Sequence, residues 1–97
     1  MNNEQVILKF LNREEGRTPK RKIVNGCYVY EGRTLESNGG TLTNYRTIIA
    51  EWRKDEIYLN MNKYSVTTSK IQSKIKFLAS QKGLAIIECK GDELNIL

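Results

Sequence analysis

Apolar residues recur along this chain in two rhythms. Val6, Ile7, Phe10 and Leu11 fall at i, i+1, i+4 and i+5, which is one stripe of a helix. Asn3 followed by Glu4 and Gln5 has the form of an N-cap with an acid in the first turn. The spacing predicts a helix over about 3–14, ended by Gly16 and Pro19, although Val6-Ile7-Leu8 would also suit a short strand. A second helical stripe runs through Ile71, Ile75 and Leu78, predicting a helix within 65–83. Ser65, Thr67, Thr68 and Ser69 supply N-cap hydroxyls, and Gly83 stands where a C-terminal glycine belongs.

Between and after these stripes the chemistry is that of strands. Ile23 to Glu31 carries Val24, Cys27, Val29 and the aromatic pair Tyr28 and Tyr30, with Asn25-Gly26 inside it as a turn or a bulge. Thr34-Leu35 starts a second strand, and Ser37-Asn38-Gly39-Gly40 marks a loop. Thr41 to Trp52, rich in Thr, Tyr and Ile, is expected as one strand. Arg53 to Glu56 is a polar turn, after which Ile57, Leu59 and Met61 alternate with Tyr58, Asn60 and Asn62. These two segments are expected to pair as an antiparallel hairpin. Leu84 to Cys89 forms a short strand, Lys90 to Glu93 a turn, and Leu94 to Leu97 is expected to pair back. The order predicts an α+β fold: one domain over 1–97, with a mostly antiparallel sheet of about five strands and two helices packed on it.

Composition narrows the chemistry. A chain of 97 residues with 39% apolar and 28% charged residues folds around one modest core. It has no His, which excludes Ser-His-Asp and Cys-His nucleophile systems and most zinc sites. Cys27 and Cys89 are far apart and form no CxxC pair, so two reduced thiols are expected. The acids Glu14-Glu15, Asp55-Glu56 and Asp92-Glu93 sit in turns or helix ends with nothing to bring them together. No catalytic residue, metal ligand or cofactor is expected, and the reading is of a protein that is not an enzyme. The polar start, Met1-Asn2-Asn3-Glu4-Gln5, and the shortness of every apolar run lead to an expected place in the cytoplasm.

The net charge of +5 is unevenly spread. Residues 1–22 carry +3, 23–64 carry zero, 65–82 carry +4 and 83–97 carry −2. The excess lies in the loop with Arg17, Lys20, Arg21 and Lys22 and in the helix with Lys70, Lys74, Lys76 and Lys82. Such segments are footprints for phosphate backbones or acidic protein surfaces. Tyr64-Ser65-Val66-Thr67-Thr68-Ser69-Lys70 adds a helix start with more hydroxyls than capping needs, so Thr68 and Lys70 are candidates for holding an anion. Among the aromatics, Trp52 is assigned to the core. Tyr28, Tyr30 and Tyr58 alternate with Cys27, Val29, Ile57 and Leu59, and are candidate surface anchors for bases or a protein partner.

Leu42-Thr43-Asn44-Tyr45-Arg46-Thr47-Ile48-Ile49-Ala50, then Ile57-Tyr58-Leu59-Asn60, then Tyr64 to Lys70 resemble a family of small uncharacterised phage and prophage domains of Gram-positive bacteria. The resemblance covers roughly residues 40–80 and carries no activity with it. It implies a phage accessory protein in a bacterial host cell. On that setting, the expected function is a non-enzymatic inhibitor of a host nuclease defence, similar to anti-CRISPR proteins. It would occlude a CRISPR-type nuclease or its guide RNA through the basic segments and the tyrosines. The alternative is a stand-alone nucleic-acid-binding regulator or single-strand binder that takes DNA or RNA directly. A third reading is a phage structural protein that forms oligomers.

Overall fold

The computed structural model describes residues 1–18, 21–30, 35–45, 47–91 and 94, with the backbone alone for 21–24 and 27–30. Helix α1 (Asn3–Leu11) is followed by β1 (Glu15–Arg17), β2 (Arg21–Val24), β3 (Cys27–Tyr30), β4 (Leu35–Asn38), β5 (Thr41–Asn44), β6 (Thr47–Arg53), β7 (Glu56–Asn60), helix α2 (Val66–Gln81) and β8 (Ala85–Cys89). Six strands form one sheet in the order β1-β4-β5-β6-β7-β8, and β2 and β3 form a separate hairpin. The α+β class and the two helices are as expected, with more strands than the five anticipated. Every pair in the main sheet is antiparallel except β7 with β8, which the α2 crossover makes parallel.

Local chemistry sets the helix ends. The N-cap of α1 is Asn2 rather than Asn3, because Gln5 lies three residues beyond Asn2 and closes a reciprocal capping box with it. The helix stops at Leu11, and Arg13 turns the chain with φ 60°. That frees Glu15-Gly16-Arg17 to pair with β4, so Arg17 ends a strand rather than opening a loop. Ser65 caps α2 by accepting from the N–H of Thr68. Gly83 closes α2 in the left-handed region, with φ 71°.

Both helices lie on one face of the sheet. Val6, Ile7, Phe10 and Leu11 of α1 and Ile71, Ile75, Leu78 and Ala79 of α2 enclose Leu35, Leu42, Ile49, Ala50, Ile57 and Leu59. Complete burial of each large side chain stabilises the fold by about 1.5–3 kcal/mol. Trp52 packs at the edge of this core, half-buried rather than enclosed. No helix among the described residues is long and apolar enough to cross a membrane.

Three expectations need correction. Thr41 to Trp52 is two strands, because Tyr45 adopts φ 58° and reverses the chain where no Gly or Pro signals a turn. Within β6, Ile49 is an extra residue between the pairs Leu42–Ala50 and Thr43–Ile48. This bulge breaks the alternation, so the neighbours Ile49 and Ala50 are both buried. Asn60 was placed by alternation on the solvent side with Tyr58, yet it is fully buried, and Met61 is exposed. Leu94 is a buried residue of a short helical turn. The rest of the strand anticipated at Leu94 to Leu97, and the pair Asp92-Glu93, lie outside the described residues.

Candidate functional site

The strand register brings several segments to one end of the sheet. The N–H of Thr18 donates to the carbonyl of Leu35 at 3.0 Å. Leu35 stands opposite Asn44, and Asn44 opposite Thr47. Asn60 reaches the carbonyl of Ile48 from β7, and Cys89 stands beside Asn60 on β8. The segment 19–34 therefore leaves and returns at this end, next to the Tyr45 turn, the start of α2 and the exit from β8. By sequence these segments carry Lys20, Arg21, Lys22, Arg33, Arg46, Lys63 and Lys90, together with Glu31, Asp92 and Glu93. The opposite end of the sheet holds Glu14, Glu15, Asp55 and Glu56 beside Arg13, Arg53 and Lys54.

A buried polar network fixes the start of α2. Asn60 donates from Nδ2 to the Ile48 carbonyl at 2.9 Å and to the Tyr64 hydroxyl at 3.0 Å, while its Oδ1 accepts from the N–H of Asn62 at 2.9 Å. Gln72, on the second turn of α2, donates from Nε2 to the carbonyls of Asn60 at 2.6 Å and Asn62 at 3.0 Å. The chain between β7 and α2 is thereby tied at several points. Gly91 packs so closely that a Cβ there would lie 2.8 Å from both Asn60 Nδ2 and the Tyr64 hydroxyl. Polar groups this deep are favourable only when paired, and these are paired.

Beside this network lies a cleft of about 280 Å³ lined by Asn44, Tyr45, Thr47, Ile49, Tyr64, Ser65 and Thr68. No acid lines it. Tyr45 and Tyr64 are exposed at 66% and 49%, so the rim of the cleft is aromatic. Tyr45 holds its left-handed conformation without being glycine, at a cost of roughly 1–2 kcal/mol.

The predicted site residues fall into separate places. Thr68 lies in the cleft wall, buried, with its hydroxyl 3.1 Å from Ser65 Oγ. Lys70 is exposed one turn along α2. Lys74 pairs with Glu4 of α1 at 3.2 Å, and Lys76 with Glu88 of β8 at 2.6 Å, so the two leave α2 on opposite flanks. α2 itself holds no glutamate, and the partners come from other elements. Arg17 is exposed at the end of β1, opposite Glu36. Tyr58 lies on the sheet face away from the helices, half-buried, with the Arg53 guanidinium 4.6 Å over its ring. It therefore does not join Lys70. Lys20 and the side chains of Arg21, Lys22, Tyr28 and Tyr30 lie outside the described residues, while the backbone sets Arg21 opposite Tyr30 and Ile23 opposite Tyr28 across an Asn25-Gly26 turn.

Sequence reasoning overlooked Asn44, Asn60 and Gln72. A signal for Asn44 was present, since it follows Leu42 by two residues and so holds a core-facing position. Glu14, Glu15, Asp55 and Glu56 are exposed, and no group of three His, Cys, Asp or Glu among the described residues is close enough to hold a metal ion. Cys89 is half-buried, with its Sγ 3.5 Å from the Leu59 carbonyl oxygen, and the side chain of Cys27 lies outside the described residues. Segments 42–45, 47–50, 57–60 and 64–70 meet around the cleft and its network. The chain matches no family model, no curated protein and no solved structure.

Proposed function

We propose that this is a non-enzymatic binding protein that takes a nucleic-acid strand across the basic end of its sheet. One observation carries this reading: the excursion 19–34, which holds Lys20, Arg21 and Lys22, and the start of α2, which holds Lys70, are rooted at the same end. Phosphates would be met by Arg17, Lys20, Arg21 and Lys22 on one side and Lys70 on the other, with Tyr45 and Tyr64 available for stacking. Lys74 and Lys76 contribute less, because Glu4 and Glu88 already engage them. The test is fluorescence anisotropy of labelled single-stranded and double-stranded oligonucleotides across a salt series. Binding that weakens steeply and log-linearly with salt supports the proposal. Affinity that is flat with salt, or absent at low salt, sinks it.

A second reading has its own observation. Val66 and Phe77 are exposed at 74% and 57% on the outer side of α2, separated by Ser69 and Ser73 and bordered by Lys70 and Lys74. An apolar stripe with a basic border suits an acidic protein surface, as a phage-encoded inhibitor of a CRISPR-type nuclease would require. That reading predicts that the protein inhibits cleavage by a purified effector complex and that Phe77→Glu relieves the inhibition. Undiminished cleavage at saturating protein counts against it.

A further inference from the structure

The cleft at the start of α2 contains a group that the fold leaves unsatisfied. Asn44 is 3% exposed, and its side-chain Nδ2 is buried without a hydrogen-bond partner. An amide left in that state costs on the order of 1–3 kcal/mol, and native proteins hold few such groups. Packing does not require an amide here. Asn44 stands opposite Leu35 on the core side of the sheet, where an aliphatic side chain would fill the same place. A donor kept at this cost in the wall of a cleft points to something that enters the cleft and accepts from it.

Other donors border the cleft. α2 starts here with no acid in its first turn. Ser65 serves Thr68 through Oγ and Ser69 through its carbonyl, and the N–H groups of Val66 and Thr67, next in the chain to the lining residue Ser65, stand at the positive end of the helix dipole. The Tyr64 oxygen accepts from Asn60 Nδ2, so its proton is available to give. Thr47 lines the same space. A cleft of this size lies at the small end for ligand sites and suits one group rather than a whole nucleotide.

We propose that this cleft is a phosphate site. A single phosphate would enter beside Tyr45, accept from Asn44 Nδ2, the Tyr64 hydroxyl and the first N–H groups of α2, and be stabilised by the helix dipole. The phosphate is a diester in a nucleic-acid backbone or a free monoester. The diester case rests on the reading of this end as a nucleic-acid surface.

The test is an amide NMR titration of the full chain with inorganic phosphate and, separately, with the dinucleoside phosphate TpT. Saturable shifts are expected for the backbone amides of Val66 and Thr67 and for the Asn44 side-chain amide. Saturation by TpT identifies the diester, and saturation by inorganic phosphate alone identifies the monoester. Asn44→Leu should weaken the response at least about tenfold, which is about 1.4 kcal/mol. The same variant should melt at an unchanged or higher temperature, because it removes an unpaired buried polar group. No saturable shift with either probe at tens of millimolar overturns the site. So does a response that survives Asn44→Leu. Oligonucleotide binding without phosphate shifts at α2 would reject the cleft and leave the surface reading standing. Phosphate shifts in a protein that binds no oligonucleotide would do the reverse.

Discussion

Trp52 donates its indole N–H to the carbonyl oxygen of Phe10 at 2.8 Å. The bond joins β6 to the last turn of α1, and the two rings pack at 6.2 Å between centroids. Arg13 extends the junction, with its guanidinium 4.0 Å over the indole and one nitrogen donating to the Lys54 carbonyl. Trp52→Phe keeps a ring and removes the donor. We expect a loss of about 1–2 kcal/mol, from the hydrogen bond and part of the cation–π contact. Urea denaturation should show a lower midpoint at constant m-value.

Gln72 links α2 to the backbone that precedes it. Replacing it with Ala removes the donor from the buried carbonyl of Asn60 and from the carbonyl of the more exposed Asn62. The expected cost is about 2–3 kcal/mol. Hydrogen exchange should locate the loosening at the first turns of α2 and not at α1.

Gly39 turns between β4 and β5 with φ 94°, and a Cβ on it would lie 2.9 Å from the backbone oxygen of Arg13. Because that obstacle is backbone, it cannot swing aside. Gly39→Ala should destabilise by about 2 kcal/mol or more, combining left-handed strain with the displacement of residues 13–14. Gly26→Ala offers a control, since it has a positive φ of 79° and open space around it. Thermal melts of the two variants should rank Gly39→Ala clearly below Gly26→Ala.

Lys54 holds φ 56° in the tight turn between β6 and β7. Asn tolerates that conformation better than Lys, and the Lys54 carbonyl that Arg13 uses is backbone and survives the exchange. Lys54→Asn should raise stability by roughly 0.5–1 kcal/mol, or a few degrees in Tm. A lower Tm would show that the lysine side chain matters in a way the turn geometry does not reveal.

The salt dependence of nucleic-acid binding gives a count of phosphates met. Replacing Lys20, Arg21 and Lys22 together by Ala should reduce the log-log salt slope by about 2, at roughly 0.7 per single-strand contact. Lys76→Ala should leave the slope nearly unchanged, because Glu88 already holds that lysine. Equal effects from the two variants would contradict an interface centred on the excursion 19–34.

The helices and the β6–β7 hairpin were legible because their apolar spacing is regular over many residues. Ile71, Ile75 and Leu78 admit one helical face, and Ile57 with Leu59 admits one strand face. The turn at Tyr45 was hidden, because a tyrosine in the left-handed region carries no compositional mark and the surrounding register imposes it. The bulge at Ile49 was hidden for a similar reason, since one extra residue reverses the alternation beyond it. Asn60 was misjudged because period-two reasoning assigns a polar residue to solvent. Here the carbonyl of Ile48 and the hydroxyl of Tyr64 replace the water. The basic segments were readable as charge, but only strand order brings the roots of the excursion 19–34 beside the start of α2.

The hydrogen bond between Thr18 and Leu35 has a bearing on how this protein can vary. The excursion 19–34 begins and ends at two bonded residues, so closing the gap beneath it asks for little more chain than a tight turn. The six-stranded scaffold draws none of its strands from that segment. It can accordingly be shortened, lengthened or exchanged as a cassette while the scaffold and the cleft at α2 persist. Such an arrangement lets the segment vary without each new version having to solve the folding problem again.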